Sequence, residues 1–173
     1  MSLKNCFIAL IIVAAGWVPA AAQSVKHIQP SGQTNGGGGI ATGVWVGDTY
    51  YLSGQLPSPM TPADRAKGTP AVYGNMQAQA ESAFAKIQSL LKEQGLGMGD
   101  VVMMRVYMAA DPADNKLDFA GMNAAYAKFF GTPEQPNKPA RAAVQVAALV
   151  AQGALLEVEV QAARPSPPLA TSR

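Results

Sequence analysis

The chain has 173 residues, 49% of them hydrophobic and 14% charged, with 13 basic against 11 acidic side chains and a formal net charge of +2. So even a balance argues against a general nucleic-acid surface, which needs clustered Lys and Arg. A single cysteine, Cys6, and a single histidine, His27, exclude a disulfide framework, a Cys- or His-based metal site and a histidine-dependent triad.

The first 22 residues read as a secretory signal peptide. Lys4 supplies the positive start, "CFIALIIVAAGWV" the apolar centre, and "PAAAQS" the small residues that permit cleavage after Ala22. The apolar run is too short and too weakly flanked for a spanning helix. Cys6 precedes it, which rules out a lipoprotein signal; a retained N-terminal anchor is the rival reading. Cleavage removes Lys4 and Cys6 and leaves 12 basic against 11 acidic residues, a charge of +1. The expectation is a secreted or periplasmic protein with no membrane attachment after signal removal. Residues 23–163 then form one domain, and residues 164–173, "RPSPPLATSR", a disordered tail. A chain of this size buries about 68–70% of its unfolded surface without a disulfide.

After a short strand in "SVKHIQ" comes the glycine loop Gly36 to Gly39, which lacks the spacing of a phosphate-binding motif. "ATGVWVGDTYYLSGQLP" predicts a hairpin turning at "VGDT". "PSPMTPADRAKGTPAVYG" predicts an irregular loop. From Met76, apolar residues Ala80, Ala83, Phe84, Ile87, Leu90 and Leu91 recur at helical spacing, and Gly95 is the stop. "DVVMMRVYMA" predicts a strand. "DFAGMNAAYAKFF" predicts a second helix capped by Asp118, with Phe119, Met122, Tyr126, Phe129 and Phe130 on one face. "RAAVQVAAL" and "LLEVEVQAA" predict two closing strands. The fold class is therefore α+β: two helices on one face of a mixed sheet. The other face lacks a cover, which a homo-oligomer packing sheet against sheet would supply.

The chemistry left to such a chain rests on arginines and carboxylates. Ser53 has no histidine to activate it, and no GxSxG elbow is present. On the last strand Glu157, Glu159 and Gln161 point one way, opposite Leu156, Val158 and Val160. The two glutamates fit a solvated sheet face; a glycosidase dyad is conceivable, but both point the same way and no sugar-binding aromatics lie nearby. Arg141 has two open readings: a structural ion pair with Glu157 or Glu159, or a bidentate clamp for a substrate carboxylate.

"PARAAVQVAAL" followed by "LEVEV" resembles the signature of the Rid family (YjgF-type reactive intermediate deaminases). "VGDTYYLSGQLP", "GDVVMMRVYM" and "DFAGMNAAYAKFFG" resemble three further family segments in the right order, so the likeness spans roughly residues 26 to 163. The resemblance implies a chorismate-mutase-like fold and a homotrimer with sites in the clefts between subunits. It implies hydrolysis of enamines and imines, of the 2-aminoacrylate or 2-iminobutanoate type, to 2-keto acids and ammonia, with no cofactor and no metal. Carried over by position, Arg141 binds the substrate carboxylate and Glu157 holds or activates water. Ser53, Gly54 and Asn123 line the pocket, with Ile40 where the family commonly has an aromatic and Ala143 where it often has Cys or Ser. The segment from Ser58 to Gly74 is longer than usual, and one extra residue falls between Leu149 and Leu156. The implied partner is a small imino or keto acid, not nucleic acid. The competing expectation is a trimeric module that binds small carboxylates without turnover; RNA cleavage, a third class, fits poorly with near-neutral charge and export.

Overall fold

The computed structural model describes residues 23–30 and 39–164. The expected signal peptide, most of the glycine loop and the expected tail beyond Arg164 lie outside the described residues. The elements run β1 (Val25–Ile28), β2 (Gly43–Val46), β3 (Thr49–Gln55), α1 (Met76–Glu93), β4 (Val101–Met108), α2 (Phe119–Tyr126), β5 (Ala140–Gln145) and β6 (Leu156–Ala163), with a 3-10 turn at Met98–Asp100 before β4. They form one six-stranded sheet in the order β1-β2-β3-β6-β4-β5. Every pairing is antiparallel except β4 with β5, which is parallel. Parallel neighbours need a long crossover, and the segment containing α2 provides it.

Both helices start where their caps permit. The Asn75 side chain accepts from the Ala78 amide, and the Asp118 side chain from the Gly121 amide. α1 ends before Gly95, whose φ of +74° is readily adopted by glycine and rarely by other residues. α1 buries Met76, Ala80, Ala83, Phe84, Ile87 and Leu91. These pack on Tyr50, Leu52, Met104, Val106, Met108, Leu156, Val158 and Val160, which share the inner face of the sheet. α2 and the turns after it add Met122, Phe129 and Phe130, with the rings of Phe129 and Phe130 5.5 and 6.1 Å from that of Phe84. Lys128, in the turn just after α2, pairs with Glu81 of α1 at 2.6 Å.

The opposite face carries Tyr51, Arg105, Tyr107, Val144, Glu157, Glu159 and Gln161. No element among the described residues covers it, and Tyr51 and Val144 stand 43% and 48% exposed. This is the mixed sheet with two helices on one side that the sequence predicts.

Two boundaries differ from the expectation. The strand predicted from Arg141 to Leu149 stops at Gln145, because its partner β4 ends at Met108 and the ladder runs out. Val146 still donates to Met108 O at 2.8 Å, and then the chain leaves the sheet. The segment after β3, predicted to be irregular, forms a narrow arm bridged at Thr61–Val72 and Asp64–Thr69. Its return is anchored by Gln79, which is 1% exposed. The Gln79 amide nitrogen donates to Gly74 O at 2.9 Å and Gly153 O at 3.1 Å, while its oxygen accepts from Leu155 N at 2.8 Å. One buried amide thus joins α1, the arm and the loop that delivers β6.

Candidate functional site

The β4–β6 register settles what the two glutamates do. Arg105 lies opposite Glu159, and Tyr107 opposite Glu157. Arg105 donates to Glu159 Oε1 at 2.7 Å, and the Tyr107 hydroxyl donates to Glu159 Oε2 at 3.2 Å. Partial burial, and then the charge of Glu159, push the Tyr107 phenol above its ordinary range. Glu159 is therefore a structural carboxylate, which removes the dyad reading. Glu157 has no hydrogen-bond or ion-pair partner among the described residues. It lies in a shallow hollow with Tyr107, Leu149 and Val150.

Glu157 also lies directly over Gly54. Here β3 leaves register with β6 between Leu52 and Gln55, the bulge that brings Ser53 and Gly54 out of the ladder. A Cβ on Gly54 would sit 3.0 Å from Glu157 Cδ and 3.3 Å from Cγ, and would overlap Oε1. Glycine at 54 is what lets the carboxylate lie where it does. Ser53 donates from its hydroxyl to Ala41 O at 2.7 Å, holding the segment before β2 against β3. Ile40, Ser53 and Gly54 line one concavity of about 280 Å³, joined by Lys86 and Leu90 of α1.

Arg141 lies elsewhere. It pairs in register with Met104, a core residue, so its side chain leaves β5 on the helix side. The guanidinium sits 4.5 Å from the centre of the Tyr126 ring and 5.9 Å from that of Phe119, and one N–H approaches Met122 Sδ at 4.0 Å. Burial raises the Tyr126 phenol while the Arg141 charge pulls the other way. No carboxylate pairs with Arg141 among the described residues, so the ion-pair reading of this arginine fails. Ala143 follows it on the same side of β5, packed against the core, and Asn123 adjoins Met122 on α2.

Of the residues expected at the site, the chain brings together Glu157 with Gly54, and Ile40 with Ser53 and Gly54. It does not bring Arg141 to Glu157. They occupy opposite faces of the sheet, and β6 and β4 separate β3 from β5. Three interstrand spacings put Arg141 about 14 Å from the Ser53–Gly54 strand. The sequence reading did not single out Tyr107, Lys86 or the role of Tyr126. Tyr107 shares strand parity with Arg105, which is a readable signal once β4 is paired with β6. Among the described residues no three His, Cys, Asp or Glu side chains are grouped to hold a metal ion, and no helix is long and apolar enough to cross a membrane.

Known proteins carry the same pattern. A RutC family protein of Pyrococcus abyssi is 32% identical over 122 residues, 70% of this chain and 84% of its own. A 2-iminobutanoate/2-iminopropanoate deaminase of Salmonella typhimurium is 32% identical over 127 residues, 73% of this chain and 88% of its own. Among solved structures, E. coli TdcF with bound serine superposes with a TM-score of 0.58 at 28% identity, covering 81% of this chain and 99% of that one. A putative endoribonuclease of Thermotoga maritima gives 0.59 at 25% identity, covering 82% and 98%. The profile of the family described as Endoribonuclease L-PSP matches residues 39–164, from the segment before β2 to the end of β6. Sequence match and sheet architecture agree over most of the chain, and it belongs to this Endoribonuclease L-PSP family, that of the RutC proteins.

Proposed function

We propose that this protein hydrolyses reactive 2-imino and 2-enamino acids of small size, 2-iminobutanoate or 2-aminoacrylate in type, to 2-keto acids and ammonia. The observation that carries the reading is the division of labour among the charged groups. Arg105 and Tyr107 occupy Glu159, while among the described residues Glu157 and Arg141 are left without ionic partners. A carboxylate and a guanidinium that no opposite charge among the described residues engages are what a zwitterion-like imino acid needs at its two ends. Relatives named as imine deaminases in Salmonella typhimurium and Dermatophagoides farinae support the chemistry.

The two groups belong to one site only if a second copy contributes one of them. A four-carbon imino acid is only about 5 Å long, so it does not span the separation within one chain. We therefore place the site between subunits of a homotrimer, with the uncovered sheet face as contact surface. In that cleft Arg141 grips the substrate carboxylate through two parallel N–H bonds. Asn123 and Ala143 line the arginine side, and Ile40, Ser53 and Gly54 line the glutamate side. Glu157 accepts a proton from water as its oxygen bonds to the imine carbon. The C=N pair moves to nitrogen, which takes that proton back from Glu157 to give the carbinolamine. Glu157 then carries the hydroxyl proton to the amine, and as the C=O bond forms the C–N bond breaks and ammonia leaves. An enamine enters this route after it has tautomerised to the imine by gaining a proton on carbon and losing one from nitrogen. Imines hydrolyse readily in water, so a positioned base contributing about 10²–10⁴-fold is sufficient. The signal peptide reading places this reaction outside the cytoplasm.

The test is ammonia release from an imine generated in situ by an amino-acid oxidase. Wild-type protein accelerates it, and Arg141→Ala abolishes the acceleration while assembly persists. Arg141→Lys stays weak, since a point charge does not reproduce the planar fork. If the wild-type protein binds a 2-keto acid through Arg141 yet releases no ammonia, it is a carboxylate-binding module. The serine bound in the E. coli TdcF structure is the observation that favours this second reading.

A further inference from the structure

Arg141 is held by an unusual set of neighbours for an edge-strand arginine: an aromatic face, a second ring and a thioether, with no acid among them. We propose that Tyr126 is the positioning residue of the carboxylate clamp. Its ring holds the guanidinium carbon 4.5 Å over its centre, so that the donors of Arg141 are presented to an anion already in place. The inference rests on the reading of Arg141 as the clamp.

A guanidinium has five N–H donors arranged in its own plane. An acidic partner would occupy two of them and cancel the charge, leaving a poor anion site. An aromatic face attracts the cation through its quadrupole and takes none of the donors. Met122 Sδ, at 4.0 Å, is a weak acceptor that engages one N–H. The rest stay available at the β5 edge, where the chain leaves Arg141 exposed.

Tyr126 is itself immobilised. Its ring stacks on Phe130 at 4.8 Å and 19°, and meets Phe84 edge-on at 6.4 Å. Phe84 and Phe130 are buried core residues on α1 and after α2. The clamp is thus referenced to the helix layer rather than to β5, an edge strand paired on one side only. Long side chains on an edge strand sample several rotamers, and fixing the guanidinium before the ligand arrives removes that cost from binding.

The experiment uses the mature chain, with affinity for 2-oxobutanoate by calorimetry, and kcat and KM in the coupled imine assay. Ring fluorination depletes the aromatic face while keeping its shape. We therefore compare Tyr126→Phe with Tyr126→pentafluorophenylalanine, beside Tyr126→Leu and Arg141→Ala. Tyr126→Phe binds within twofold of wild type, whereas the pentafluoro ring weakens binding and raises KM about three- to tenfold with kcat nearly unchanged. Tyr126→Leu behaves like the pentafluoro ring; should it fail to fold, the fluorinated pair decides alone. Equal affinity for Tyr126→Phe and its fluorinated counterpart, with binding lost in Arg141→Ala, overturns the role of Tyr126 and leaves the clamp standing. Undiminished binding in Arg141→Ala overturns the clamp and the proposal with it.

Discussion

Replacing Gly54 by alanine separates the position of Glu157 from the integrity of the fold. The new methyl would lie 3.0 Å from Glu157 Cδ and overlap Oε1, so the carboxylate must swing away. The colliding group is the far end of a flexible side chain, and a rotamer excursion costs about 0.5–1.5 kcal/mol. Gly54 is not in the left-handed region, so alanine stiffens the unfolded chain and returns about 0.4–1 kcal/mol. The two effects nearly cancel, and for a domain of this size the melting temperature should move by no more than about 2–4 °C. Activity should respond far more, because misplacing a reacting group by about 1 Å costs roughly 100-fold. Ammonia release from an in situ imine measures the second quantity and calorimetric melting the first. Near wild-type turnover in Gly54→Ala would refute the idea that Glu157 acts from its place over β3. A drop of 10 °C or more (about three times the expected shift) would show that the contact is structural.

Other expectations follow from the same geometry. Glu157→Gln should lower turnover steeply while leaving affinity for a 2-keto acid nearly intact, as calorimetry on the unreactive ligand can check. Glu159→Gln should leave turnover within a few-fold and cost at most about 1 kcal/mol, since its pair with Arg105 is partly exposed; a reversed pattern would mean that the roles of the two glutamates are exchanged. Sedimentation of residues 23–173 should give a trimer at dilute concentration, and a stable monomer would remove the composite site. Lys128, and then Gln77, hold the Glu81 carboxyl below its ordinary range. The α1–α2 ion pair therefore contributes fully above the normal glutamate pKa and is lost only as pH falls through the lowered value. The melting difference between wild type and Lys128→Met should persist through the ordinary carboxylate range and close only at more acid pH. A gap that closes near pH 6 would contradict this assignment.

Much of the architecture was legible because strand and helix periods are local. Alternation along "LEVEV" put both glutamates on one face, and the helical recurrence from Met76 located α1 and its buried stripe. What could not be read is set by pairing across the sheet. Nothing local tells Glu157 from Glu159; only the β4–β6 register, which gives Arg105 to Glu159, does. Nor does "PARAAV" reveal its face: that depends on the parallel register which sets Arg141 beside the core residue Met104. The true end of β5 is likewise dictated by where β4 stops. The arm between β3 and α1, read as irregular from its prolines and glycines, folds back because Thr61 pairs with Val72. That contact leaves no composition signal.

The buried amide of Gln79 has a consequence for how the molecule breathes. Three backbone groups depend on it, one at the base of the arm and two in the approach to β6. None of these segments can detach without leaving a buried polar group unpaired, a loss of about 1–3 kcal/mol. Arm, loop and the start of α1 should therefore open as one cooperative unit rather than fray separately. In hydrogen exchange the Leu155 amide, although it lies just outside the ladder of β6, should be protected to the same degree as the first full turns of α1. Glu157 follows it by two residues, so that carboxylate would be attached to one of the slower-exchanging parts of an otherwise loop-bounded strand.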